Sequence, residues 1–431
     1  MSAASRRSRP TASRVEAGLA RRRLKESVFR LCGIAATGVG VVFLGFFFVS
    51  LIGQGAPAFQ QTYVRLAVHL DPGQLLADGQ YDSGTANFDA VIRDGLRDLF
   101  PDVASRQDQR ALNRLISIGA AFDVQRLVDA DPSLIGQVVT IEVPAASNLD
   151  LLIEGRIDRT LPESQRPLSD KQVGWIDQLL ERDAIERRFN TNLFTNGDSR
   201  EPELAGVRGA LIGSFYMMIV TAMLAFPLGV AAAIYLEEFA PQNRLTDLVE
   251  VNINNLAAVP SIIFGLLGVA VLIDWFGMPR SAPLVGGLVL SLLTLPIVII
   301  AARAAIRGVP QSIRDGALAL GASRMQVVFD HVMPQALPGV LTGAIIGLGR
   351  ALGETAPLLM IGMVAFIVDV PEKITDPATA LPVQIYLWAD SPERAFAEHT
   401  AAAIIVLLSF LLVMNLAAVL VRRRLQRRSR L

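Results

Sequence analysis

Six stretches of this 431-residue chain are apolar over 20 residues or more. That is the length a helix needs to cross roughly 30 Å of hydrocarbon. The first is Leu31–Ile52. The second lies within Ala210–Leu236, the third within Val251–Ile273 and the fourth within Ser281–Ala302. The fifth lies within Pro338–Val368, and the sixth is Thr400–Val421. Inside lipid every backbone polar group needs a partner from its own segment or a closed barrel. Runs of this length and composition therefore predict helices, and an all-α integral membrane protein with six transmembrane helices. Leu31–Ile52 is too long for a signal-peptide core and no small-residue cleavage site closes it, so an anchor that stays in place is expected.

Charge divides the chain further. Residues 1–30 hold nine Lys or Arg against two acids, and 422–431 add six Arg and no acid. Both tails, and the Arg-bearing segment after the fourth span (Arg303, Arg307, Arg314, Arg324), are expected on the cytoplasmic side by the positive-inside rule. Residues 54–205 carry 15 basic and 24 acidic residues and are expected outside, with the acidic loop 369–399. The organisation expected is a basic tail 1–30, a first span 31–53, an extra-membranous insert 54–205, a core 206–421 with five spans and a cytoplasmic loop 304–338, and a basic tail 422–431. Within the insert, Asn87–Leu99 and Lys171–Phe189 have helical apolar spacing and Gln137–Val143 reads as a strand. The insert is mainly helical or α+β, and serves as a structural or docking module or as a ligand sensor. Trp275 and Trp388 fall where interfacial aromatics sit.

Catalytic signatures are missing. The chain has no G-x-x-x-x-G-K-[ST] phosphate loop and no nucleophile–base constellation. His69, His331 and His399 are scattered, and Cys32, the sole cysteine, fits a span as a small apolar residue. No metal site, cofactor or enzymatic activity is expected, and no nucleic-acid partner.

The segment "DGALALGASRMQVVFDHVMPQALPG", Asp315 to Gly339, reads as a helix–turn–helix. Asp315–Leu320 forms a short helix and Gly321 ends it in the left-handed conformation. Ser323 caps a second helix, Arg324–Met333, and Pro334 stops that helix before the next span. A short rigid element of this kind is something a coupling protein can grip. The stretch resembles the E-A-A-x-x-x-G-x9-I-x-L-P loop of importer-type ABC permeases. Asp315 stands at the Glu position, Gly316 and Ala317 at the two Ala positions and Gly321 at the Gly. His331 and Met333 replace Ile and Leu, and Pro334 matches. The resemblance implies docking of this loop in a groove of an ATPase subunit.

Further motifs narrow the match: "FTNGDSREPELAGVRGALIGSFY" (194–216), "AIYLEEFAP" (233–241), "NLAAVPSIIFGLLG" (255–268), "VPQSIRDGALALGASR" (309–324) and "GRALGETAPLL" (349–359). Together they resemble the PstA-type permease family of phosphate-specific ABC importers over about 200–425. The resemblance implies a type I importer permease fold in a bacterial inner membrane. It also implies a second, PstC-type permease, PstB-type ATPases, a periplasmic PstS-type binding protein, and inorganic phosphate as substrate. The insert lies outside the common core.

Gly343, Gly347, Arg350 and Glu354 step by four, three and four, so one helix would carry them on one stripe, with Gly339 a turn earlier. Small residues allow close helix approach, and charges within a span mark a path or a pair. The stripe is either part of a translocation path or a structural intrahelical salt bridge. The resemblance favours the path, since the matching Arg and Glu are implicated in phosphate translocation. Arg303 is either a further path residue or a positive-inside arginine. Glu237 and Glu238 read as solvated surface charges or as groups that shape the ATPase-facing surface. Asn252, Asn254 and Asn255 read as interhelical hydrogen-bonding groups or a gate. Rival readings are a permease for sulfate or molybdate, a secondary transporter, and a membrane phosphate sensor.

Overall fold

The computed structural model describes residues 11–77 and 80–428. Parts of the two basic tails, 1–10 and 429–431, lie outside the described residues. The chain divides into two compact units, one up to Gln54 and one from Gly55 onward.

The first unit is a single helix, α1 (Thr11–Gly55). Its part from Arg22 is long and apolar enough to cross a membrane. Val39, Phe43 and Phe46 are exposed on it. So is Cys32, which is a free thiol.

The second unit begins with the insert, built on a three-stranded antiparallel sheet of order β2–β1–β3. Its strands are β1 (Gln60–His69), β2 (Val138–Pro144) and β3 (Ile185–Phe189). In β1, Val64, Leu66 and Val68 are buried while Arg65, Ala67 and His69 are exposed, the period of two that a one-sided sheet requires. Leu66 faces Ile141 across the β1–β2 pair, and Val64 faces both Val143 and Ile185. The buried face shares a core with helices Phe88–Leu99, Ala120–Ala130, Ser147–Ile153 and Asp170–Glu181 through Val91, Val124, Leu149 and Ile176. The insert is thus α+β.

One expected helix is corrected. Lys171–Phe189 is helical only to Glu181, and its last residues form β3. The chain reverses at Asp183, whose φ is 52°. Ile185–Phe189 is an edge strand whose last three residues are exposed, and Glu186 pairs there with Arg65 and Arg188 at 3.1 and 2.8 Å. Charges of this kind protect a sheet edge from further pairing.

The remainder is helical. Its helices include α2 (Arg208–Ile234), α3 (Arg244–Ala257), α4 (Ser261–Leu267), α5 (Pro283–Arg307), α6 (Gln311–Ala319), α7 (Met333–Leu352) and α8 (Phe396–Arg428). Wide π-type turns extend α2 over Tyr235–Phe239 and α4 over Gly268–Trp275, and lead into α7 over Val327–Val332. Among the described residues, five helices are long and apolar enough to cross a membrane. The sixth candidate is α3 with α4, bent by 101°. The third span expected within Val251–Ile273 is thus a bent pair of helices. Pro260 accounts for it, since it lacks an amide proton and steers the residue before it away from helical dihedrals.

Helix α5 is the centre of the bundle. Val285, Val289 and Leu290 are fully buried, and α2 and α7 pack on it. Glycines set the separations. A Cβ on Gly229 would lie 2.7 Å from Val298 Cγ1, and one on Gly343 only 2.1 Å from Ala301 Cβ.

Candidate translocation and coupling elements

The segment between α5 and α7 folds as a hairpin, and the expected helix starts earlier, at Gln311. Gly321 ends it with φ of +90°, a conformation in which a Cβ is strained. Ser323 then caps the next helix in a reciprocal box. Gln326 N–H donates to Ser323 Oγ at 3.3 Å, and Ser323 N–H to Gln326 Oε1 at 2.8 Å. Asp315 and Gly316 are exposed, and nothing lies within 4 Å of a Cβ placed on Gly316. Ala317 faces inward, in a cluster with Ile306, Val309, Val327 and Val332. One hairpin surface is thus anchored and the other free, with Leu320 91% exposed at its tip.

Pro334 does not stop the second helix. The helix that starts at Arg324 runs unbroken through Pro334 to Leu352. A proline inside a helix removes a donor and crowds the carbonyl four residues back. Here the preceding turn, Val327–Val332, is wound wide as a π turn.

The glycine stripe is present and packs α7 on α5. Gly339 and Gly347 face Ala305 and Thr294 as Gly343 faces Ala301. The helix ends at Leu352, however, with Gly353 as its cap. Glu354 therefore stands beyond the last turn, and the single helical stripe from Gly343 to Glu354 is corrected to a stripe plus a cap. The two charges still meet: Arg350 Nε lies 3.5 Å from Glu354 Oε1. That is long for a charge-assisted hydrogen bond, which runs near 2.7–2.9 Å. The Arg350 side chain is 56% exposed and that of Glu354 18%. The guanidinium thus projects from the bundle with donors to spare.

Arg303 lies in a different place. Its side chain is 9% exposed and Nε reaches Glu237 Oε1 at 2.5 Å, with Glu250 of α3 on its other nitrogen. Arg307 binds the second oxygen of Glu237 at 2.7 Å. Arg314 of α6 takes Glu238 at 2.8 Å. Glu237 and Glu238, expected as solvated charges, are instead held in an ion-pair network. The signal in the sequence was the pair of acids ending one apolar helix and the i, i+4 arginines ending another.

Other expectations shift as well. Asn252 donates to Leu248 O of its own helix at 2.7 Å, and Asn254 and Asn255 are exposed, so no interhelical bond of theirs is seen among the described residues. Trp275 is exposed, but Trp388 is buried and its indole donates to Asp198 at 3.0 Å. Burial raises the Asp198 carboxyl above the usual range. His399 is buried against Trp388 and Phe396. Beside it the insert meets the first turn of α8. Arg156 Nε lies 2.8 Å from Glu398, and Arg187 Nη2 lies 2.7 Å from Glu154. Burial and the neighbouring Glu398 carboxyl push Glu154 up to about 7. Burial likewise pushes Asp150 up to about 6 against its bond from Thr62.

Known proteins match this architecture. The family of binding-protein-dependent transport system inner membrane components matches residues 225–430, and a domain of unknown function matches 16–163. A probable ABC transporter permease of Bacillus subtilis, YqgI, is 33% identical over 49% of this chain and 76% of its own. The phosphate transport system permease protein PstA 1 of Mycobacterium tuberculosis is 33% identical over 52% of this chain and 72% of its own.

The chain belongs to the ABC transporter permease family that includes the PstA proteins.

The PstA of Haemophilus influenzae is 31% identical over 53% of this chain and 79% of its own. Among solved structures, an inward-facing MetNI methionine ABC transporter covers 51% of this chain and 95% of its own, at 20% identity and a TM-score of 0.42. A permease of this family is a membrane component of a transport system, and the apolar helices of this chain have the length that requires.

Proposed function

We propose that this chain is the PstA-type permease subunit of an ATP-driven importer of inorganic phosphate in a bacterial inner membrane. The observation that carries the reading is its identity to relatives named as phosphate permeases, over more than 70% of their own length. In this reading both termini are cytoplasmic and residues 54–205 are periplasmic. A PstC-type permease completes the path, PstB-type ATPases supply the stroke, and a PstS-type protein delivers phosphate. ATP hydrolysis belongs to the partner chain. The domain limits follow the same scheme, with the core at 206–421 and the coupling loop at 304–338.

Arg350 and Glu354 are the path residues in this scheme. A guanidinium is always charged and its fork of donors matches two phosphate oxygens. Its projection from the bundle supports a site completed by a second subunit. The loose 3.5 Å contact with Glu354 suits a pair that opens when phosphate arrives and closes when it leaves. Asp315 and Gly316 face the ATPase in this scheme, Ala317 seats the hairpin from its inward side, and Gly321 and Pro334 complete the coupling element. Arg303 belongs to the frame of the bundle rather than the path, because Glu237 and Glu250 occupy its guanidinium.

The test is uptake of labelled phosphate in a strain lacking this gene. The strain would carry wild type, Arg350→Gln or Gly321→Pro at matched membrane levels. Wild type restores ATP-dependent uptake and both variants lose it. Restoration of sulfate or molybdate uptake instead would move the substrate to another oxyanion. Normal uptake by Arg350→Gln would make the charge pair a structural one.

A further inference from the structure

The inward face of α6 is held by apolar packing of Ile313 and Ala317 and by the polar contacts of one side chain, Arg314. Arg314 is nearly buried, and its guanidinium meets three chain segments besides its own helix. Nε and Nη2 donate to Glu238 Oε1 at 3.1 and 2.8 Å. Nη2 also donates to Ile306 O at 3.0 Å, and Nη1 to Val309 O at 2.7 Å. Ile306 lies in the last turn of α5, where helix carbonyls lack intrahelical donors. Glu238 belongs to the π turn that ends α2. Consecutive residues on a helix point about 100° apart, so Glu237 and Glu238 serve different partners. Glu237 is taken by Arg303 and Arg307 of α5, and Glu250 ties α3 to the same arginines. Three acids and three arginines thereby join α2, α3, α5 and α6.

We infer that the Arg314–Glu238 pair is the joint through which movement of the α6 hairpin is passed to α2, with the Glu237–Arg303–Arg307–Glu250 cluster holding α2, α3 and α5 as one body. The inference rests on the proposed role of the hairpin as the ATPase contact. The physical ground is the difference between the two kinds of contact on the inward face of α6. Apolar packing, such as that of Ala317, is non-directional and can slide. A planar guanidinium that shares donors among a carboxylate and two backbone carbonyls fixes position and angle together. Arg314 is therefore a positioning residue and touches no substrate.

The test uses the full transporter in proteoliposomes, with the partner permease, the ATPases and the binding protein, and reads phosphate imported and ATP hydrolysed in the same sample. The variants are Arg314→Lys, Glu238→Gln and the exchanged pair Arg314→Glu with Glu238→Arg, each checked for complex assembly. The single variants are expected to assemble and hydrolyse ATP while phosphate moved per ATP falls about fivefold or more, the lower end of ordinary coupling between sites. The exchanged pair should recover part of that ratio. Single variants with a wild-type ratio would overturn the joint. Import and hydrolysis that fall in parallel, with loss of bound ATPase, would also overturn it, since the pair would then shape only the docking surface. A wild-type complex that hydrolyses ATP but imports no phosphate would overturn the proposed function, and the joint with it.

Discussion

Replacing Gly343 by alanine tests the packing of α7 on α5 directly. A Cβ at residue 343 would lie 2.1 Å from Ala301 Cβ, while the distance to Ala301 Cα would be 3.5 Å. Carbon atoms in contact settle at about 3.5–4.0 Å, so the two helices must part by roughly 1.5 Å or bend. Forcing an extra methyl group into a close-packed contact costs about 1–3 kcal/mol. The clash is with a single methyl group, so Ala301→Gly removes it and leaves an ordinary contact. That second change costs about 1 kcal/mol of helix propensity, which Gly343→Ala regains within α7, so the double variant is nearly neutral in propensity and reads the clash alone. Gly343→Ala should therefore lower the thermal midpoint of the purified chain in detergent, and the double variant should recover the larger part. Gly316→Ala serves as the control, because its Cβ would stand in open space on a helix. It should be neutral or slightly stabilising. A Gly343→Ala chain that melts with wild type would refute the close approach of these helices. A double variant no better than the single would place the cost elsewhere.

Further outcomes follow from other contacts. Ser323→Ala removes one half of the capping box and should cost about 1 kcal/mol, seen as faster amide exchange over 324–332 in the full chain. Glu154 has a raised carboxyl in the folded chain, faced by Arg187, Arg156, Glu398 and Asp150. Its contribution to stability is full below the usual carboxylate range and is lost as pH rises through about 7. Wild type should thus melt higher at pH 5 than at pH 8, and Glu154→Gln should shrink the difference; an unchanged difference would put the pH dependence on other groups. Trp388→Phe removes the indole donor from buried Asp198 and should cost about 1–3 kcal/mol, measured as a fall in thermal midpoint that Asp198→Asn partly offsets.

The spans were legible because a bilayer imposes a length and a composition on local sequence. Gly321 and Ser323 were legible for a similar reason, since each meets a need of its own turn. Most of the errors come from long-range or cooperative structure, and one from a local signal that was outweighed. Pro334 has a local preference to end a helix, yet a π turn before it lets the helix continue. Gly353 and Pro357 carry the signal for the end of α7, but the four-residue spacing of Arg350 and Glu354 suggested a continuing helix. Glu237 finds its partners more than 60 residues away in Arg303 and Arg307, and no periodicity reports such a pairing. Trp388 reads as an interfacial aromatic, and no local signal reports that Asp198 of the insert takes its indole. Arg303 illustrates the same limit from the other side: one arginine at a helix end fits a path or a frame equally well until its acids are located.

The insert's core contains Ala395, which immediately precedes α8, and its charges reach Glu398. Two stretches more than 200 residues apart are thus one folded object. A shortened chain lacking 60–189 would leave the start of α8 without its cover, so excision here is not the trimming of a loop. Transplanting the insert to another permease would require carrying residues 395–399 with it.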